Sequence, residues 1–527
     1  MNFLERFVSF FLPLGLGLYL LISTYFGSDL SLLPGDLGDT RFNLFILEHC
    51  HQYLTGTVND FWNATFMYPE PEVISLSDNL LGTAPIYSVY RLLGFNLFSA
   101  FQYWAITLAI LNYTSAYFLA SHLSKKSWFA GIAAFIFAFS IGLAAQMNHA
   151  QTFPRFAIPL TLLFLLLWRE RCHLKWFFWA VLALTYTFYC GIYLGFMTLI
   201  PFATLFTFIV FEKWALIKKQ LSDLKTALFY GATLILNLSL LYVLFAPYLR
   251  RSKSNTLHTY EQVKHSIPTI ESYLSAHPGT LIHRPLENLI GGDQFAYWDH
   301  WLFPGWLALI GLLAMFFLSI KKSVIENLSF SNRNTWLLLI TGCITFLLFL
   351  RVGGYSLYYF LQLLPGFGAM RSMTRIINIE LLFFGIGLAF LLTILAKKSR
   401  NYRVFVFLIA MIILLFDNTI DPDYANTTRK KEMLDRHNTL VSKMKEIPPG
   451  SVVSYEPNLD SLSTHIIHYQ IDAMLAAQSL GLKSVNGYSA QAAFGFHKYW
   501  MKPNPETRSF WFGQFEEIDD KDVYVVH

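Results

Sequence analysis

The chain has 527 residues, of which 54% are hydrophobic and only 14% are charged, and its mean hydropathy is +0.43. A soluble domain normally carries about 25% charged residues, so this composition excludes an ordinary soluble protein and indicates a protein that crosses a membrane many times. The net charge of +5 is modest and comes largely from short loops. It therefore reflects membrane topology and argues against nucleic-acid binding.

About eleven apolar segments have the length and hydropathy expected of membrane-spanning helices, although the fourth and fifth are short. They lie at residues 8–26, 98–120, 127–146, 155–168, 176–190, 192–211, 225–247, 302–320, 335–351, 376–396 and 402–417. The run from 176 to 211 is too long for one helix, so we divide it near Cys190 and Gly191. No small-residue cleavage site follows the first segment, which predicts a retained membrane anchor.

Basic residues predict the orientation in the membrane. Five loops that fall on one side carry Lys125 and Lys126, Arg169 to Lys175, Lys213 to Lys219, Lys321 and Lys322, and Lys397 to Arg403. Loops rich in lysine and arginine remain cytoplasmic. The sequence therefore predicts a cytoplasmic N-terminus and an extracytoplasmic C-terminus.

The large polar segments then face outward, and polarity rises sharply after residue 417. We predict a transmembrane domain at 1–417, with a long outer loop at 27–97, and a small extracytoplasmic α/β domain at 418–527. The tail contains a helix-like segment, Glu432 to Ile447, and strand-like segments at Ser451 to Tyr455 and Asp522 to Val526. The fold class is thus an α-helical polytopic membrane protein with a soluble α/β domain at its C-terminus.

Two aspartates in the first outer loop are the first candidates for chemistry. The segment reads Leu33-Pro-Gly-Asp36-Leu-Gly-Asp39. Carboxylates at the mouth of a membrane protein are suited to act as a base, a metal ligand or a cation-binding group, whereas proline, glycine and aspartate are also turn residues. Residues 41–54 follow with apolar side chains at helical spacing, which predicts a helix lying flat on the outer membrane surface.

Further polar candidates fall on the same outer side. Asp78 precedes an apolar segment and could instead cap a helix, and His149 and Gln151 lie between the third and fourth spans. Arg371 and Arg375 are four residues apart, which on a helix places both on one face. Two arginines there could bind a lipid-linked phosphate while an aspartate activates a hydroxyl group, or they could anchor a helix at the headgroups.

Five short segments together resemble the GT-C superfamily of membrane glycosyltransferases, and specifically a bacterial branch that includes YfhO-type proteins. They are Gly35 to Asp39, Ser77 to Gly82, Phe135 to Phe139 leading to His149 and Gln151, Met370 to Arg375, and Val485 to Ser489. The resemblance spans nearly the whole chain, and it is carried by the combination and order of the segments because each one alone is short.

The resemblance implies an inverting glycosyltransferase of a bacterial inner or plasma membrane. Its donor would be a sugar on a polyprenyl phosphate, and its acceptor a cell-surface glycan, lipid or protein. An aspartate would be the catalytic base, with Asp39 as first choice, Asp36 as second and Asp78 as a further candidate. The substrate-binding residues would be His149, Gln151, Arg371 and Arg375.

One departure concerns metal binding. Metal-dependent oligosaccharyl transferases carry an Asp-x-Asp or Glu-x-Asp in a later loop between spans, and this chain has none there, so a divalent metal is possible but not indicated.

Two other functions stay open, namely a transporter or flippase for lipid-linked glycans and a non-catalytic assembly protein. A transporter would need buried polar residues in several spans, and Glu380 is the clear example within the apolar segments.

Overall fold

The computed structural model describes residues 3–124, 128–252, 257–292, 296–320, 330–396, 399–458, 465–515 and 522–527. Its helices up to residue 417 are α1 (Phe3–Leu21), α2 (Asp39–Leu54), α3 (Ala84–Leu92), α4 (Leu97–Ser124), α5 (Ala130–Phe139), α6 (Ala157–Arg171), α7 (Leu174–Cys190), α8 (Ile192–Ser222), α9 (Leu224–Ser252), α10 (Tyr260–Val263), α11 (His283–Ile290), α12 (Trp306–Ile320), α13 (Phe330–Phe349), α14 (Tyr358–Leu361), α15 (Ile377–Leu395) and α16 (Arg400–Asp417). The tail adds α17 (Lys430–Met444), α18 (Ile466–Ser479), α19 (His497–Met501) and α20 (Pro505–Phe512). The strands are β1 (Leu32–Pro34), β2 (Arg351–Val352), β3 (Tyr355–Ser356), β4 (Thr427–Arg429), β5 (Val452–Tyr455), β6 (Lys483–Ser484) and β7 (Val523–Val526).

Within the described residues, five helical segments are long and apolar enough to cross a membrane. They are Phe3–Phe26, Ala150–Arg171, Ile192–Ser222, Leu224–Arg251 and Met373–Leu395. Shorter apolar helices add Ala130–Gln146, Leu174–Cys190, Trp306–Ile320 and Arg333–Phe349. The prediction of a helical membrane protein is confirmed, and each of the eleven apolar segments overlaps a helix.

The third predicted span is not one continuous α-helix. Helix α5 ends at Phe139 because Ser140 adopts extended backbone angles and its Oγ accepts a hydrogen bond from the Gly142 N–H. A 3-10 turn, Ile141–Gln146, follows, and a second one spans Ala150–Thr152. This irregular segment brings His149 to the end of the bundle that meets the loop at 27–97.

Helix α15 occupies the centre of the bundle and packs against α12 and α5. Its residues from Ile377 to Phe390 are buried. Gly311 and Gly387 permit the contact with α12, because a Cβ atom at Gly311 would collide with the Phe384 carbonyl oxygen and one at Gly387 with the Gly311 carbonyl oxygen. Small residues allow membrane helices to approach this closely, so α12 and the middle of α15 are in direct backbone contact.

Helix α2 is buried, which corrects the prediction of a helix lying flat on the membrane surface. Every residue from Thr40 to Cys50 is buried, including the polar Asn43. Helices α3 and α4 contact α2, and α18 of the tail contacts it as well. The prediction is wrong because the tail, more than 400 residues later in the chain, covers surface that the sequence pattern assigned to solvent and lipid.

The tail contains a parallel sheet with the strand order β6-β5-β7. It also pairs with the first outer loop, since β1 and β4 form an antiparallel pair in which Leu32 faces Arg429 and Pro34 faces Thr427. A second backbone contact joins the Ser484 N–H to the Thr65 carbonyl oxygen at 2.6 Å. The first outer loop and the tail therefore fold against each other, while the boundary at residue 418 stays a prediction.

A buried carboxylate joins α2 to the tail. Asp472 on α18 forms ion pairs with Arg41 of α2 and with Arg436 of α17, and the side chains of Arg41 and Asp472 are only 1% and 8% exposed. The Arg41 Nη2 also donates to the His468 carbonyl oxygen at 3.1 Å. This network fixes the orientation of α2 and of the residues at its N-terminus.

Replacing Asp472 by alanine is expected to lower the free energy of unfolding by about 3–5 kcal/mol, because Arg41 then stays buried without its counter-charge. Asp435→Ala serves as the matched control, since Asp435 is an exposed aspartate of neighbouring α17. Denaturant unfolding of the purified protein measures both. Equal losses in the two variants would contradict the assigned role of this ion pair.

Candidate functional site

A cavity of about 500 Å³ lies between the first loop (27–97), the start of α8, the end of α9 and the tail. Its volume falls in the range of small-molecule sites, roughly 300–1,000 Å³. The cavity is lined by six of the seven site residues that the sequence singled out, namely Asp39, Asp78, His149, Gln151, Arg371 and Arg375. The structure thus brings together six residues from four separate stretches of the chain.

Asp39 is the first residue of α2, and both of its carboxylate oxygens have partners. Oδ1 accepts a hydrogen bond from the Tyr488 hydroxyl at 2.7 Å, and Oδ2 lies 3.1 Å from His149 Nδ1. Burial opposes ionisation of Asp39, but the contacts with His149 and Tyr488 and the charge of Arg375 outweigh it and lower the pKa of the carboxyl. The side chain remains 31% exposed, so an anionic and oriented carboxylate faces the cavity.

Asp36 lies outside the cavity, although the sequence offered it as the second candidate for the base. Its side chain is exposed, and Oδ1 accepts a hydrogen bond from the Gly38 N–H at 2.9 Å. This contact closes the turn that leads into α2. The position of Asp36 agrees with the turn that the sequence left open as an alternative.

Asp78 is buried at the cavity wall and caps a helix that is remote in sequence. Its Oδ1 accepts a hydrogen bond from the Ile192 N–H at 2.6 Å, at the start of α8, where Gly191 has no side chain to serve as a cap. Desolvation by burial raises the pKa of Asp78. Asp78 therefore holds the first turn of α8, including Tyr193, against the cavity.

His149 and Gln151 present unused polar atoms. His149 Nε2 and Gln151 Oε1 are buried and have no hydrogen-bond partner among the described residues. The His149 ring also lies 5.4 Å from the ring of Trp298, centroid to centroid. Because buried polar atoms are costly to leave unpaired, both atoms are available to a bound molecule.

Arg371 and Arg375 both line the cavity but do not share a helix, which corrects the prediction that they project from one helical face. Arg371 lies in an irregular segment, and Arg375 belongs to the 3-10 turn Met373–Ile376 that leads into α15. Tyr193 joins them, since the Arg371 N–H donates to its hydroxyl at 2.9 Å and the Arg375 guanidinium lies 4.6 Å from its ring centroid. The two arginines give the cavity a cationic wall.

The donor set of the cavity does not fit a preformed metal centre. Among the residues that the structure describes, no group of three or more histidines, cysteines, aspartates or glutamates is placed to hold one metal ion.

Sequence reasoning missed two residues that organise the site, Tyr193 and Tyr488. The segment Val485 to Ser489 contributed to the resemblance, but no role was assigned to its tyrosine. Tyr488 meets Asp39 across 449 positions of sequence. A single sequence carries no signal for such a contact.

Tyr488→Phe is expected to move the acidic limb of the pH–rate profile to higher pH. The hydroxyl stabilises the ionised Asp39, so its removal raises the pKa of this carboxyl and a larger fraction is protonated as the pH falls. Initial rates across acidic and neutral pH measure the shift. Tyr524→Phe, a change at an exposed tyrosine of the tail, should leave the profile in place, and an unchanged profile in Tyr488→Phe would contradict the role of the hydroxyl.

Comparisons with known proteins place the fold. No protein-family model matches the chain, and no curated protein matches its sequence. The structure is similar to that of an archaeal oligosaccharyltransferase, AglB from Archaeoglobus fulgidus, which was solved in complex with an inhibitory peptide and a dolichol-phosphate. The two share 12% sequence identity with a TM-score of 0.50, and the match covers 97% of this chain and 69% of that chain. At this identity the similarity concerns the fold alone, and it agrees with the fold that the resemblance to the GT-C superfamily implied. Membership of that superfamily and of its YfhO-like branch stays a prediction.

Proposed function

We propose that the protein is a membrane glycosyltransferase that transfers a sugar from a polyprenyl-phosphate donor to an acceptor hydroxyl on the extracytoplasmic side. The observation that carries the proposal is the convergence of Asp39, His149, Arg371 and Arg375 on one cavity of about 500 Å³. An oriented carboxylate and a cationic wall are the two elements that such a transfer needs. The similar archaeal protein was solved with a dolichol-phosphate, which supports this class of donor.

In the proposed reaction Asp39 accepts the proton of the acceptor hydroxyl. The acceptor oxygen then forms a bond to the anomeric carbon while the bond from that carbon to the phosphate oxygen breaks. The leaving polyprenyl phosphate takes the electron pair, and Arg371 and Arg375 stabilise its negative charge. A single displacement of this kind inverts the anomeric configuration.

The remaining cavity residues orient the reacting groups. His149 and Tyr488 hold the Asp39 carboxylate through its two oxygens. Each oxygen keeps a further lone-pair position that can accept the incoming proton. Gln151 Oε1 is suited to accept a hydrogen bond from a sugar hydroxyl, because it is buried and has no partner among the described residues.

The proposal places the cavity outside the cytoplasm, in a bacterial inner or plasma membrane. Reporter fusions after Lys398 and at His527 are expected to lie on opposite sides, because the basic loop before α16 is cytoplasmic under the positive-inside rule. A fusion after Lys126 provides a second cytoplasmic reference. Equal signals after Lys398 and at His527 would contradict the assigned orientation.

A transfer assay tests the proposed activity. Purified protein in detergent is incubated with a panel of polyprenyl-phosphate sugars and with glycan, lipid and peptide acceptors, and the release of polyprenyl phosphate is measured. We expect release to depend on both the donor and the acceptor. Transport of a lipid-linked glycan in vesicles without any transfer would instead support a flippase.

A further inference from the structure

A second and smaller cavity, of about 80 Å³, lies behind the turns that carry His149 and Gln151. It is lined by α1 and its continuation Ile22–Phe26, by α4, by the stretch from Ala138 to Arg155, and by Asn418 and Ile420. None of the residues that line it also lines the larger cavity. An ion or molecule bound in this cavity would therefore not contact the residues that line the larger one.

Arg155 is a buried cation at the wall of this cavity, with only 6% of its surface exposed. Its Nη1 donates to Asn378 Oδ1 at 3.0 Å and its Nη2 to the Ala138 carbonyl oxygen at 3.1 Å, and both of these acceptors are neutral. Within the described part of the chain, Nε has no hydrogen-bond partner and no carboxylate forms an ion pair with this guanidinium. A buried charge without a counter-charge is costly.

Two further side chains at the same wall hold unused polar atoms. The Tyr25 hydroxyl and both polar atoms of the Gln146 amide are unpaired among the described residues, and these residues are only 7% and 2% exposed. Other polar side chains at the wall are satisfied within the protein: Asn112 donates to the Phe153 carbonyl oxygen, Ser140 to that of Pro304 and Thr152 to that of His149. The unpaired groups thus include hydrogen-bond donors from three residues, Arg155, Gln146 and Tyr25, of which Arg155 is cationic. The Gln146 amide oxygen can only accept, whereas the Tyr25 hydroxyl can donate to an anion.

We propose that this cavity is a binding site for a small inorganic anion of the halide type, held by Arg155, Gln146 and Tyr25. The anion supplies the counter-charge that Arg155 lacks, and the N–H and O–H donors complete its shell. A water molecule needs about 10–15 Å³ of such space. A cavity of about 80 Å³ therefore has room for one small ion and a few waters, but not for a sugar or a prenyl chain.

The site would stabilise the irregular segment between α5 and α6. Gln146 ends the turn Ile141–Gln146, and Arg155 follows the turn Ala150–Thr152. An anion that contacts both residues ties together the two ends of the stretch that carries His149. The inference does not rest on the proposed glycosyl transfer.

Thermal unfolding of the full-length protein in detergent tests the proposal. Chloride is titrated against gluconate at constant ionic strength, which separates specific binding from screening. We expect a saturable rise in the melting temperature of about 2 °C or more. Tyr25→Phe should shift the titration to higher chloride, whereas Tyr19→Phe, at an exposed tyrosine of the preceding α1, should leave it unchanged.

Gln146→Glu provides a complementary test, because it places a carboxylate next to Arg155 and should abolish the response to chloride. If this variant does not fold, the comparison of Tyr25→Phe with Tyr19→Phe decides the question by itself. The absence of a chloride response in the parent protein, or one that is linear and equal in all variants, would overturn the proposal. A response to anionic phospholipid vesicles without any response to chloride would overturn it as well, in favour of a lipid phosphate.

Discussion

Asp39→Asn is expected to lower the rate of transfer by about 10²–10⁴-fold, the contribution that a positioned general base typically makes. The amide keeps the size of the side chain but cannot take the proton of the acceptor hydroxyl. Folding should persist, since Asp39 is half-buried at the start of α2, its amide variant keeps the same size, and the buried ion pair of this helix belongs to Arg41. Turnover with the donor and acceptor identified in the transfer assay measures the effect.

Asp36→Asn is the matched control, because it makes the same change three residues earlier at an exposed position outside the cavity. We expect near-normal turnover in this variant. A large loss in Asp36→Asn together with a small loss in Asp39→Asn would reverse the assignment of the base. Near-normal turnover in both would direct attention to Asp78, whose burial raises its pKa.

Arg375→Ala is expected to lower kcat/KM for the donor by about 10–150-fold, which corresponds to one or more charge-assisted hydrogen bonds of roughly 1.5–3 kcal/mol. Arg375→Lys should give a smaller loss, because lysine keeps the charge but lacks the planar fork that matches phosphate oxygens. Thermal stability should change little in either variant. Donor saturation curves measure both changes.

Simple anchoring at the lipid headgroups leads to a different expectation for Arg375. Lysine reaches the headgroups as well as arginine does, so the lysine variant would then match the parent protein and the phosphate site would lie elsewhere. Arg429→Lys and Arg429→Ala control for the general effect of removing an exposed arginine, since this residue lies in β4, outside the cavity.

Most of the helical architecture was predictable because hydropathy and length directly reflect the membrane. The points at which a helix ends within an apolar run were not predictable. Helix α5 is an example, since it ends at Ser140, whose Oγ accepts a hydrogen bond from the Gly142 N–H. The environment of α2 was not predictable either. Its apolar spacing is compatible with lipid contact and with burial under another domain, and only the contact with α18 distinguishes the two.

The chemistry of the site was predictable to the extent that residue type reveals it. Carboxylates, arginines and a histidine on one side of the membrane are sufficient to nominate Asp39, His149 and Arg375. The residues that hold these side chains in place were not predictable, because they are tyrosines that reach the site through contacts between distant parts of the chain. Tyr193 approaches both arginines and Tyr488 approaches Asp39, and neither residue type nor local spacing reveals these pairings.

The contact between Tyr488 and Asp39 also has a consequence for synthesis of the protein. A ribosome produces Asp39 early, but the partner that orients its carboxylate comes 449 residues later. Contacts of such high sequence separation form late, because closing a long loop costs entropy before any contact compensates for it. A chain that has inserted all its apolar segments but ends before Tyr488 therefore lacks this hydrogen bond, and its Asp39 carboxylate contacts only His149 until the tail has reached the first outer loop.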